Sequence, residues 1–185
     1  MKPFMTIVTF VFVCSSLMGG PSPRAQRTRS VLLEARYFGV GMSGIDGDHL
    51  IARIYDDGVV QYEDVRALDR SPIYDLKTAK LSEQRLNQLS TLLNDADLGS
   101  LSESYPAFSS TLDHRENLTL RFLFRGSLRQ ITVENFKPDL PKAETAYPRE
   151  LLSIACWAEF VRTNSKMRFF FRESNLCCSK ENLCR

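Results

Sequence analysis

The densest polar chemistry in this chain lies between Ser100 and Glu116, where Ser102, Ser109, Ser110, Asp113, His114 and Arg115 also fall. Serine, histidine and a carboxylate together are the parts of a hydrolase. The imidazole takes the serine proton, and the carboxylate orients the ring and stabilises its charged form. Two features of the spacing work against that reading. The nucleophilic serine of a sheet-based hydrolase sits in a G-x-S-x-G turn between strand and helix, and no such turn occurs. Asp113 directly precedes His114, and in most backbone conformations a side chain cannot orient its neighbour's ring. The stretch Ser109 to Glu116 therefore leaves one catalytic candidate, His114. The plainer expectation is that His114 is an exposed loop histidine, and His49, entering the hairpin strand, is read in the same way as exposed and without a chemical role.

Two further clusters invite a metal. Asp46-Gly47-Asp48, near Asp56 and Asp57, offers oxygen ligands for Ca²⁺, with Asp46 and Asp48 as candidates, but the twelve-residue loop with its closing glutamate is missing. The same loop, Gly39 to Asp48, lacks the G-x-G-x-x-G order of a phosphate cradle and leads into no helix, so it reads as a flexible connection. Near the end, Cys177, Cys178 and Cys184 in CCSKENLC lack both C-x-x-C spacing and a nearby histidine, which speaks against zinc. No cofactor is expected.

The compartment decides how those cysteines behave. Lys2 is followed by an apolar run from Phe4 to Val13 and then by small residues, the layout of a secretory signal peptide. Gly19, Gly20 and Pro21 break the run before the roughly 20 apolar residues that a membrane span needs. The expectation is a signal peptide and linker over 1–25, export to the periplasm or the medium, and contact with the membrane only during export. In an oxidising compartment Cys156, Cys177, Cys178 and Cys184 are disulfide candidates, and four cysteines permit three pairings. Adjacent Cys177 and Cys178 are poorly placed to bridge each other. Loss of Lys2 and Arg24 takes the formal +2 to zero, and a neutral chain argues against nucleic acid as a partner.

About 160 residues then remain, enough for one core. Its clearest local structure is LIARIYDDGVVQYED. A three-residue loop Asp56-Asp57-Gly58 sets Ile54 opposite Val60 and Arg53 opposite Gln61, whereas a two-residue loop mixes polar and apolar faces. Alternation over Ser30 to Phe38 reads as a strand, and the stretch Tyr74 to Lys80 as a strand at a sheet edge, guarded by Lys77 and Lys80. A helix from Ser82 to Ala96 carries Leu86, Leu89, Leu92, Leu93 and Ala96 on one stripe. A second hairpin over Asn117 to Glu134, with a turn at Gly126-Ser127, pairs Phe122 with Ile131 and Leu120 with Val133. A helix from Pro148 to Thr163 buries Leu151, Leu152, Ala155, Ala158 and Val161 and turns Arg149, Glu159 and Arg162 to water.

Taken in order, these elements resemble a family of small exported bacterial domains of unknown function. The resemblance is carried by Arg53, Ile54, Tyr55, Asp57, Gly58, Val60 and Tyr62 in the hairpin and by Leu98, Leu101 and Tyr105 after the helix, and it spans Val31 to Arg162. Where that family has a cysteine pair and a proline before the hairpin, this chain has GVGMSGIDGD. The resemblance implies export and fold, and no activity.

The expected architecture is one α+β domain over 30–164, an antiparallel sheet of roughly four to six strands with two helices packed on one face, followed by a Cys-rich tail over 165–185. Its other face would be left to water and would carry Arg53, Gln61, Arg121 and Thr132. The function expected from this pattern is non-enzymatic binding of a protein or envelope component through that face. The alternative is a small hydrolase using the Ser109 to Glu116 loop.

Overall fold

A computed structural model describes residues 29–41, 46–67, 73–107, 114–138 and 146–162. In chain order these form β1 (Val31–Gly41), β2 (Gly47–Tyr55), β3 (Val59–Ala67), β4 (Ile73–Lys80), α1 (Glu83–Leu93), a 3₁₀ turn (Ala96–Ser100), β5 (Ser104–Tyr105), β6 (His114–Phe124), β7 (Ser127–Val133) and α2 (Arg149–Phe160). The strands make one sheet in the order β4-β3-β2-β1-β6-β7-β5. The class is α+β, as expected, but the described sheet has seven strands rather than four to six, and β5 runs parallel to β7. β5 is two residues long, too short to show alternation. It is held by Thr132 N donating to Glu103 O and Glu134 N to Tyr105 O, each at 2.9 Å.

The first hairpin has the register that its apolar pattern demands. Ile54 faces Val60 and Arg53 faces Gln61. Gly58 closes the loop at φ +79°, a conformation that side chains rarely adopt, and its N–H donates to Tyr55 O at 2.9 Å. Asp57 Oδ1 accepts from Val59 N, which, with Arg29 nearby, lowers the pKa of its carboxyl.

The second hairpin turns one residue earlier than expected. Arg125 and Gly126 occupy the tip with φ of 48° and 81°, so Leu120 faces Ile131 and Phe122 faces Arg129. Two successive positive φ values give the turn whose twist matches the strands, and glycine serves it at the second position as well as it would serve the other turn at the first. The slip is two residues, and strand side chains alternate with period two. Leu118, Leu120, Phe122, Ile131 and Val133 therefore all remain in the core.

Those residues join Leu33, Ala35 and Tyr37 of β1, Ala52 and Ile54 of β2, and Val60 and Tyr62 of β3 in one buried cluster with Leu89 and Leu93 of α1 and Leu151, Ile154, Ala155 and Ala158 of α2. α1 is shorter than its leucine stripe. Ser82 caps it, accepting from Arg85 N at 3.3 Å, but Asn94 Nδ2 donates to Ser90 O and Asp95 Oδ1 accepts from Asp97 N, ending the helix and starting the 3₁₀ turn. The expectation for α2 fails at two positions. Glu159 and Arg162 are fully buried, 3.3 Å apart, where helical periodicity turned them to water. Arg162 Nη2 also donates to Glu63 O at 2.9 Å, and its guanidinium lies 5.7 Å from the Tyr62 ring centre. A charge on the polar side of a helix becomes buried when the helix is enclosed all round, which periodicity cannot register.

Tyr147 packs edge-on against Phe136 and accepts from Lys137 N at 3.3 Å. Burial raises its phenol above the usual value of 10.0. A raised native pKa means stability that is complete below pH 10 and is lost as pH climbs further, because the unfolded phenol ionises first. Urea midpoints measured from pH 8 to 11 should fall at the alkaline end, and Tyr147→Phe should flatten part of that fall. An unchanged profile would show that the phenol is not the group responsible.

Candidate functional site

Register assigns each strand residue to a face. On β1, Leu33, Ala35 and Tyr37 enter the core, so Glu34, Arg36, Phe38 and Val40 stand on the opposite face. Their cross-strand partners bring Arg53 beside Glu34, Arg121 beside Glu34 on the other side, Thr119 beside Arg36, Asn117 beside Phe38 and Arg115 beside Val40. Gln61 lies opposite Arg53, and Thr132 lies opposite Thr119. The four residues expected to share an outer face, Arg53, Gln61, Arg121 and Thr132, do share one.

The charges on this face are arranged rather than scattered. Glu34 is nearly buried, with Arg53 Nε donating to it at 2.5 Å and Arg121 Nη1 forming a longer ion pair with it at 3.8 Å. Arg36 grips Asp48 with two parallel hydrogen bonds of 2.9 Å. The hydrogen bond to Asp48 raises the Arg36 pKa, and at Arg53 the cost of burial is outweighed by Glu34, so both guanidiniums are held firmly charged. Three arginines on β1, β2 and β6 thus pair with two carboxylates, and Arg115 on β6 lies opposite Val40. Beside them Phe38 and Val40 stand 45% and 51% exposed, in the middle strand of the sheet. Leu76 and Leu128, further out on the same face, are exposed as well. Large apolar groups on a central strand that are set among arginines have the composition of a protein-binding surface.

Phe38 and Val40 were not identified from the sequence. The strand reading stopped at Phe38, whereas β1 runs on to Gly41, and continuing the alternation would have placed both on the outer face with Glu34 and Arg36.

The hydrolase parts are distributed differently. His114 begins β6 with its backbone opposite Gly41, while Ser109, Ser110 and Asp113 lie outside the described residues. Glu116 is buried, and its carboxylate is held by Lys137 Nζ. His49 enters the hairpin strand as expected but is not exposed. It lies in β2, 6% exposed, with Tyr74 stacked 4.1 Å away. Its Nδ1 is 2.9 Å from Glu63 Oε2 and its Nε2 3.0 Å from the Asp46 carbonyl. Through these two contacts His49 ties the start of β2 to β3. The Tyr74 phenol is raised by burial and by the negative charges of Glu63 and Asp46.

For the metal candidates, Asp48 has both oxygens committed to Arg36, and Asp46 meets His49 through its backbone. Among the described residues no group of three or more His, Cys, Asp or Glu side chains is placed to hold a metal ion. Cys156 is buried in α2, and Cys177, Cys178 and Cys184 lie outside the described residues, as does the stretch 1–25 expected to hold a signal peptide. No described helix is long and apolar enough to cross a membrane.

Comparison with protein-family models finds no match, and comparison with curated proteins finds no significant relative.

Proposed function

We propose that this protein is an exported, non-enzymatic binding module of the cell envelope or the secreted fraction, and that its binding site is the sheet face opposite the core. Both described helices lie on the core side in this reading, so neither of them covers the other face. The observation that carries it is the exposure of Phe38 and Val40 on the central strand, between Arg36 and Arg115. An aromatic ring flanked by guanidiniums matches the residue types that dominate binding energy at protein interfaces, and the ion pairs around Glu34 and Asp48 hold the arginines in place before a partner arrives. Export accords with the apolar leader and with Cys156 as half of a disulfide.

A photo-crosslinking amino acid at position 38 should trap a specific partner in extracts of the source organism, and the same probe at Gln84, on the exposed side of α1, should not. With that partner purified, Phe38→Asp should weaken binding by about ten-fold or more, a parallel thermal melt showing that the variant is folded despite Asp48 opposite. Equal capture from both positions, or binding indifferent to Phe38→Asp, would remove this face from consideration.

A further inference from the structure

β4 forms one edge of the described sheet, with β3 as its only described neighbour. Leu81 N donates to Gly58 O at 2.9 Å, which fixes the alternation of the ladder. Asp75, Lys77 and Ala79 exchange hydrogen bonds with β3, while Tyr74, Leu76, Thr78 and Lys80 direct their N–H and C=O groups outward. The strand also carries two of the most exposed large apolar side chains of the described residues, Leu76 at 60% and Ile73 at 51%. An outward row of backbone donors and acceptors beside exposed apolar groups is a template for another strand.

We propose that this edge pairs with the same edge of a second copy, antiparallel, about a two-fold axis through Leu76. The reason for choosing a second copy is its charge pattern. With Leu76 opposite Leu76 of the other copy, Asp75 faces Lys77 and Lys77 faces Asp75, giving two ion pairs across the seam. Only even-numbered residues direct their hydrogen-bonding groups outward, so the next permitted registers are centred one residue to either side. One places Asp75 opposite Asp75, and the other places Lys77 opposite Lys77. Both bring like charges together, so the same two side chains that favour the Leu76 register reject its neighbours. In that register Tyr74, Leu76 and Thr78 of one copy satisfy Thr78, Leu76 and Tyr74 of the other. Lys77, which guards the edge against strands of other sequence, becomes a selector for its own.

A seam one strand wide falls short of the roughly 1,200 Å² that stable interfaces bury, so the dimer forms at micromolar rather than nanomolar concentration. Sedimentation of the full chain from about 1 to 300 µM should show a reversible monomer–dimer equilibrium. Leu76→Lys should weaken it about ten-fold or more. Asp75→Lys and Lys77→Asp should each give a monomer, because each puts like charges in both cross-seam positions. Mixed together, these two variants should form a heterodimer, since every seam position then holds opposite charges. Far-UV melting of each variant shows whether it is folded, and Lys77→Asp, an exposed change, serves if Asp75→Lys is not. Leu76 borders both the edge and the open face, but the dimer uses only the edge, and Phe38→Asp, three strands away on β1, should leave it unaffected. A chain that stays monomeric throughout the range, a dimer indifferent to Leu76→Lys and Lys77→Asp, or a mixture that does not associate would overturn it.

Discussion

Replacing Arg162 with methionine should lower the free energy of unfolding by about 3–5 kcal/mol, the cost of removing one member of a buried ion pair. Arg162 and Glu159 have no exposed side-chain surface, and the same guanidinium holds the Glu63 carbonyl and lies over Tyr62. Methionine keeps much of the volume but leaves the Glu159 carboxylate in the interior without the cation 3.3 Å away, and leaves the Glu63 carbonyl without this donor. Since whole domains are stable by about 5–15 kcal/mol, the variant is expected to be partly unfolded at 37 °C. Glu159→Gln/Arg162→Met should recover part of the loss by removing the stranded charge. Urea denaturation at constant m-value measures both. A loss under about 1 kcal/mol for the single variant would show that water reaches the pair, as at a surface ion pair.

The second large effect is expected at Arg129. It faces Phe122 across the second hairpin, and its two terminal nitrogens donate to Leu98 O at 2.5 Å and Leu101 O at 2.7 Å, tying the 3₁₀ turn to β7. A fork of two donors on a rigid plane fits two carbonyls in a way that a single ammonium cannot. Arg129→Met should cost about 2–3 kcal/mol, and Arg129→Lys should regain less than half of it. Hydrogen exchange offers a local readout, because amides from Ala96 to Tyr105 should lose protection before those of β1. Full rescue by lysine would show that charge alone, and not the fork, holds the turn.

What the sequence disclosed follows from how local each signal is. The register around Gly58 was legible because a period of two and a loop length decide it together within about a dozen residues. The second hairpin was legible only to within its turn type. Gly126 suits either of two turns, and the slip of two residues leaves the same side chains in the core, so the apolar pattern does not distinguish them. β5 could not be read, being two residues held by a strand that follows it in sequence. Glu159 and Arg162 were misassigned because periodicity shows which side of a helix is polar and not whether that side meets water. His49 was misassigned because its partners Glu63 and Tyr74 are brought to it by later strands. At the candidate site alternation alone put Arg53, Gln61, Arg121 and Thr132 on one face, but it did not bring in Asp48 or Arg115. Phe38 and Val40 were missed because glycines follow them, and the strand was ended too early.

The position of β1 bears on how the chain reaches this structure. β2, β3 and β4 follow one another as a meander, and β6 and β7 form a hairpin, so both groups can assemble from neighbouring sequence. β1 alone is bonded to both, through β2 on one side and β6 on the other. Its partners on β6, such as Phe122 for Leu33, are about ninety residues away, and closing so large a loop is the slow step expected of the fold. The first described strand to emerge during synthesis is therefore the one that must wait longest for its second neighbour. Until β6 arrives, β1 presents an unpaired edge bearing Phe38 and Val40, and that interval is when the chain is most exposed to mispairing.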